Sequence, residues 1–146
     1  MAQLTFPITG TDLYVDVRVN HSAPILSAIQ ATGFSAPSSV PARALIDTGS
    51  DLTVVAPWIL QQLRIPPQLH TTQTQGIGGL LSVRLFNVSL SILDTTNAHL
   101  PWFVQPDLLV MEATSVFPVD VLIGMDVLLG CRMILDGPAR LLTLDF

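Results

Sequence analysis

Lysine is absent from this 146-residue chain and glutamate occurs once, so the charged residues, six arginines and eleven acids, make up only 12% of it. The surface of a small soluble monomer is normally about a quarter or more charged. So low a fraction points to apolar surface covered by a partner. The net charge is −5 with no basic cluster, which removes the electrostatic footprint of a nucleic-acid binder. One cysteine, Cys131, excludes an intrachain disulfide. His21, His70 and His99 lie too far apart for metal-ligand spacing, so neither a metal nor another cofactor is expected. A lone cysteine suits a reducing compartment, and a cytoplasmic location is the expectation. No positively charged start leads into an apolar core, and every apolar run stops short of the roughly 18 residues that span a bilayer. The sequons Asn20-His21-Ser22 and Asn87-Val88-Ser89 have no secretory context and read as chance.

What is abundant is apolar sequence, 49% of residues, enough for one well-buried domain spanning 1–146 and too little for two. Leu13 to Val19 alternates at period two, the pattern of a strand with one wet face. From His21 to Ala42 the text turns to Ala, Ser, Pro and Gly. This predicts an irregular excursion, with Ile25 to Ile29 as one arm of a possible hairpin. Pro57 to Leu63 reads as a helix of about two turns, begun by Pro57 and ended before Pro66-Pro67. Thr71 to Gln75 and Leu80 to Leu85 read as a hairpin whose tip is Gly76-Ile77-Gly78-Gly79. Apolar segments at Val88–Leu93, Trp102–Val104 and Leu108–Met111 follow, separated by turn-rich stretches. Then Val119 to Gly124 leads into a short helix from Met125, with Gly130 as its C-cap candidate. Two strands around Asp136-Gly137-Pro138 close the chain. Many short strands with turns between them argue an all-β fold.

The chemistry concentrates at Ala44-Leu45-Ile46-Asp47-Thr48-Gly49-Ser50-Asp51, where an apolar strand runs directly into an acid. A carboxylate at such a place is costly to bury unless it is hydrogen-bonded or used. Gly49 permits backbone geometry closed to other residues and lets a second chain or a substrate approach closely. An echo without the acid occurs at Leu122-Ile123-Gly124.

An Asp-Thr-Gly loop, a glycine-rich hairpin tip and an apolar-apolar-Gly segment running into a helix, in that order, resemble the retroviral-protease-like (retropepsin-like) aspartic proteases. The resemblance covers Leu13 to Phe146 apart from the 21–42 excursion. It implies a closed β-barrel subunit with one or two short helices, active as a homodimer on peptide or protein substrates, with no cofactor. Residue by residue, Asp47 would be the catalytic carboxylate. Thr48 would bond across to the other subunit's loop, and Gly49 would leave room for both. Gly76, Ile77, Gly78 and Gly79 would form the flap tip over a bound peptide. Leu122, Ile123 and Gly124 would support the active-site loop from beneath.

Asp51 matches a position that pairs, in retroviral members, with an Arg just after the second motif's Gly; here Met125 stands there. Asp51 could therefore pair with Arg132, face substrate or cap a turn. The Gly124-Met125-Asp126 wording looks closer to cellular and bacterial single-domain members than to viral ones. In the family the chain ends help to join the subunits, a role that would fall here to Leu4-Thr5-Phe6 and Leu141 to Phe146; otherwise those strands would close the subunit's own barrel. Carboxylate-driven peptide hydrolysis needs one ionised and one protonated acid. One Asp-Thr-Gly supplies one acid, and Asp120 and Asp126 flank the second motif without occupying its pre-Gly position, so two chains must meet. The alternatives are a catalytically silent protease-like dimerisation or peptide-binding module and, less directly, a self-processing domain of a longer precursor.

Overall fold

Alternation decides the main sheet. In Tyr14–His21 every second residue is buried, and Val15, Val17 and Val19 are each at most 2% exposed. The computed structural model describes residues 2–76, 78–114 and 117–146, and in them the chain forms ten strands and three helices. The strands are β1 (Gln3–Pro7), β2 (Tyr14–His21), β3 (Val40–Ile46), β4 (Val54–Val55), β5 (Thr71–Gly76), β6 (Gly79–Leu93), β7 (Phe103–Glu112), β8 (Val121–Ile123), β9 (Arg132–Asp136) and β10 (Leu141–Asp145). The helices are α1 (Ala23–Ala31), α2 (Pro57–Leu63) and α3 (Met125–Leu128).

Six strands run in the order β2-β3-β8-β4-β7-β6, and β6 pairs back onto β2, so the sheet closes into a barrel. Closure leaves no open edge in the barrel itself. Two neighbouring pairs, β3–β8 and β4–β7, are parallel and the rest antiparallel, so the barrel is mixed. Its interior is filled by Val17, Val19, Val88, Leu90, Ile92, Val110, Val121 and Ile123, continuous with Ile59 and Leu60 of α2. β5 joins only through β6, so the β5–β6 hairpin stands out from the barrel as an arm.

Three departures from the sequence reading have local causes. The 21–42 stretch is not irregular throughout, and Ile25–Ile29 is not a hairpin arm: Ala23–Ala31 is helical, which gives one helix more than expected. Pro24 sits in its first turn, where a missing N–H is harmless, and Ala-rich sequence with no interior Gly or Pro sustains it. The Leu80–Leu85 and Val88–Leu93 segments are one 15-residue strand, β6, serving the arm with its first half and the barrel with its second. Gln105-Pro106-Asp107 does not break β7; the β6–β7 register shifts between Val88 and Leu90 instead, opposite the proline, where a bulge absorbs the missing donor.

The chain ends form a sheet of their own, β1-β10-β9, rather than closing the barrel. β10 lies in the middle, with Leu142 and Leu144 at most 1% exposed, and β1 and β9 are the two edges. β9 carries Ile134 and Leu135 at 37% and 56% exposure. Among the described residues no helix is long and apolar enough to cross a membrane, and no group of His, Cys, Asp and Glu is placed to hold a metal.

Candidate active site

β3 delivers Asp47. Its last residues run parallel to β8, Leu45 beside Leu122 and Ile46 beside Ile123, and the Asp47 N–H donates to the Ile123 carbonyl at 2.9 Å. The two echoing segments of the sequence are thus neighbours in space, the acid-bearing one resting on the acid-free one. Beyond Asp47 the chain turns sharply: the Gly49 N–H donates to Asp47 Oδ1 at 2.9 Å and the Ser50 N–H to the Asp47 carbonyl at 3.3 Å. A Cβ at position 49 would lie 3.2 Å from Asp47 Oδ1, so the glycine leaves the carboxylate its place. Asp47 is half-buried, whereas Thr48 is exposed and its hydroxyl makes no hydrogen bond among the described residues.

The loop is held from below. Gly124 packs so tightly that a Cβ there would come within 2.8 Å of the Leu52 carbonyl carbon and the Ser50 oxygen, both backbone atoms. The N–H groups of Met125 and Asp126 donate to the carbonyls of Ser50 and Asp51 at 2.8 and 3.1 Å, so the start of α3 grips the loop backbone. Ile123 is fully buried and Leu122 partly. Leu122 and Ile123 thus run beside the end of β3, and Gly124 packs on the backbone of the loop.

Sequence reasoning missed one polar unit. Thr53, fully buried, donates its N–H to Asp126 Oδ2 at 2.9 Å and its hydroxyl to Asp126 Oδ1 at 2.8 Å. Its Oγ1 in turn accepts the Gly124 N–H at 3.2 Å. Asp126 also accepts its neighbour Val127's N–H at 3.0 Å. One carboxylate thus ties the strand leaving the loop to the supporting motif. The available signal was an acid two residues after a motif glycine, at the start of a short helix.

Above the loop lies a cleft of about 670 Å³, bounded below by Asp47, Gly49, Ser50, Asp51 and Leu52, above by the β5 stretch Thr72 to Gly76, and at one side by Met111. Asp51 is exposed in this cleft and is not paired with Arg132, since Arg84–Glu112 is the only ion pair among the described residues. At the arm's tip Gly76 opposes Gly79, whose φ of +109° is a conformation that other residues rarely adopt. Ile77 lies outside the described residues. Gly78 and Gly76 also border a second, apolar cavity of about 550 Å³, walled by Val54, Leu81, Val83 and Phe117. At the arm's root Arg84 donates to both oxygens of Glu112, at 2.7 and 2.6 Å. These bonds raise the guanidinium pKa above its ordinary value.

An acid on a tight turn after a barrel strand, an acid-free copy beneath it and a hairpin arm above it coincide with the outcome of a family comparison: the family model described as aspartyl protease matches residues 35–127, more than half of the chain. The chain belongs to the aspartyl protease family. No curated protein matches it significantly. Among solved structures, a retropepsin-like aspartic protease from Rickettsia conorii superposes with a TM-score of 0.61 over 97% of this chain and 89% of that one, at 12% identity. The fold is thereby retropepsin-like. EIAV protease complexed with the inhibitor HBY-793 matches with a TM-score of 0.47 at 20% identity, over 86% of this chain and 94% of that one. The retroviral protease-like domain of Ddi1 from Leishmania major matches with a TM-score of 0.49 at 17% identity, over 94% and 90%.

Proposed function

We propose that this aspartyl protease family member is an endopeptidase that works as a homodimer, each subunit contributing one Asp47 to a shared pair. The observation that carries the reading is where the other acids of the two motifs go. Asp126 is spent on Thr53, and Asp120 accepts from Trp58 Nε1 at 3.3 Å. Only Asp47 and Asp51 are left facing the cleft. A close pair of carboxylates cannot both ionise, so one Asp47 takes a proton from water while the partner's Asp47, protonated, polarises the scissile carbonyl. The water attacks the amide carbon directly, with no covalent intermediate, and the protonated acid supplies the proton to the leaving amine.

The exposed Thr48 hydroxyl, which makes no hydrogen bond among the described residues, bonds across the two-fold to the opposite loop. The substrate lies extended between this floor and the β5–β6 arm, which acts as the flap with Gly76, Ile77, Gly78 and Gly79 at its tip, while Asp51 meets the peptide. A reducing, cytoplasmic setting agrees with the single Cys131.

Asp47→Asn tests both halves of the proposal, because it preserves shape and removes the shared proton. The variant alone should be folded and inactive against a peptide library. Excess variant added to wild-type chain should poison it, because mixed dimers hold one usable acid. Activity that survives in the variant overturns the catalytic assignment. Wild-type activity unmoved by excess folded variant overturns the shared pair. Peptide binding by wild type without turnover would identify the silent peptide-binding module instead.

A further inference from the structure

A third cavity, of about 400 Å³, opens at the end of the barrel away from Asp47. β2 and β3 are antiparallel with Val19 opposite Val40 and Tyr14 opposite Leu45, so His21 and Ser22, at the end of β2, lie beyond the start of β3. The length of β3 separates them from Asp47, about 20 Å at the rise of an extended strand. The cavity is therefore independent of the proposed catalytic cleft.

Its floor consists of two polar side chains more than nine-tenths buried. His21 is 8% exposed, and its Nε2 lies 2.8 Å from the Leu63 carbonyl. A carbonyl can only accept, so Nε2 carries the hydrogen. Ser22 is 3% exposed, stands at the N-cap of α1, and makes no capping bond with its side chain or any other side-chain hydrogen bond among the described residues. Yet no polar side-chain atom among the described residues is both sealed from solvent and unpartnered. The Ser22 hydroxyl therefore reaches solvent, and the cavity its residue lines is the opening available to it.

Two electrostatic poles border this space. At one the first turn of α1 supplies the helix's positive end, with the Ile25 N–H lacking an intrahelical acceptor and the Ser22 hydroxyl beside it. At the other stands the exposed carboxylate of Asp107, braced by Asn87 Nδ2 at 3.3 Å; Asn87 also accepts from Gln68 Nε2, which leaves the Gln68 carbonyl oxygen as an acceptor. Ile25, Ile65 and the two prolines Pro24 and Pro66 make the remaining wall apolar, and no arginine among the described residues lines it.

We infer that this cavity binds a small zwitterion with an apolar body, the chemistry of a free apolar amino acid. Its carboxylate lies on Ser22 and the first turn of α1, its ammonium on Asp107 and the Gln68 oxygen, and its side chain against Ile25 and Ile65. The volume is at the small end of ligand pockets, which run roughly from 300 to 1,000 Å³.

The test is a titration of the intact protein, isotope-labelled at isoleucine methyls, with L-leucine and with its two half-analogues, isoamylammonium (no carboxylate) and isocaproate (no ammonium). Leucine should give saturable shifts at Ile25 and Ile65, and each half-analogue should bind about fivefold more weakly, the scale of one partly exposed charge interaction. Asp107→Asn, at an exposed position that leaves the fold intact, should weaken leucine and isoamylammonium but not isocaproate. Ser22→Ala should weaken leucine and isocaproate but not isoamylammonium. No saturable shift with leucine, half-analogues that bind as tightly as leucine, or an Asp107→Asn variant with undiminished leucine affinity would each overturn the inference.

Discussion

Replacing Thr53 by Val keeps the shape of a fully buried side chain and removes one hydroxyl, and the structure shows what that hydroxyl does. It donates to Asp126 Oδ1 at 2.8 Å and accepts the Gly124 N–H at 3.2 Å. The variant leaves a buried N–H without an acceptor, about 1–3 kcal/mol, and removes one charge-assisted bond from a carboxylate that keeps two others. Together the loss is about 2–4 kcal/mol. For a chain of this size that lowers Tm by roughly 4–16 °C, at about 2–4 °C per kcal/mol. The control is the same substitution at Thr143, whose hydroxyl makes only a 3.4 Å exposed contact with Thr5 and whose loss should stay within about 0.5 kcal/mol. Thermal unfolding followed by circular dichroism reads both variants, and a peptide-cleavage assay well below Tm reads whether the Asp47 loop has shifted. Equal Tm for Thr53→Val and Thr143→Val would refute the claim that the Thr53–Asp126 unit holds the loop.

Gly124→Ala pushes a methyl to within 2.8 Å of loop backbone that has no flexible end to yield, and should cost about 2 kcal/mol or more and reduce cleavage beyond the stability loss, measured by denaturant unfolding beside kcat/KM. If alanine is tolerated without change in either, the tight packing of the second motif on the loop is wrong. A pair of Asp47 carboxylates sharing one proton predicts a bell-shaped acidic profile of kcat/KM against pH, with two macroscopic pKa values; a profile flat into the alkaline range would exclude the pair. At Cys131 burial raises the thiol pKa above its ordinary 9.0, with Asp145 adding to the effect. Alkylation by iodoacetamide should therefore lag behind a free thiol below that pH and accelerate only above it, and a rate equal to that of free cysteine near neutrality would contradict the burial.

The sequence by itself determined the parts whose signal is local. Period-two alternation marked β2, Pro57 and Pro66-Pro67 bracketed α2, and Gly76 to Gly79 marked the arm's tip, because turn chemistry and strand pleat are properties of a few adjacent residues. The order of the three motifs was enough to indicate the family. What only the tertiary structure decided depends on residues far apart in the chain. That Leu80–Leu85 and Val88–Leu93 are one strand depends on partners outside it, since β6 pairs with β5 in its first half and with β2 and β7 in its second. The sequence set Asp126 aside as a catalytic partner by its place after the motif's Gly, but what its carboxylate does instead, binding Thr53 73 residues away in sequence, only the tertiary structure decided. The cavity at His21 and Ser22 has no signature in the sequence at all. It is built from four segments, and a buried hydroxyl becomes a binding group only where packing leaves it without a partner.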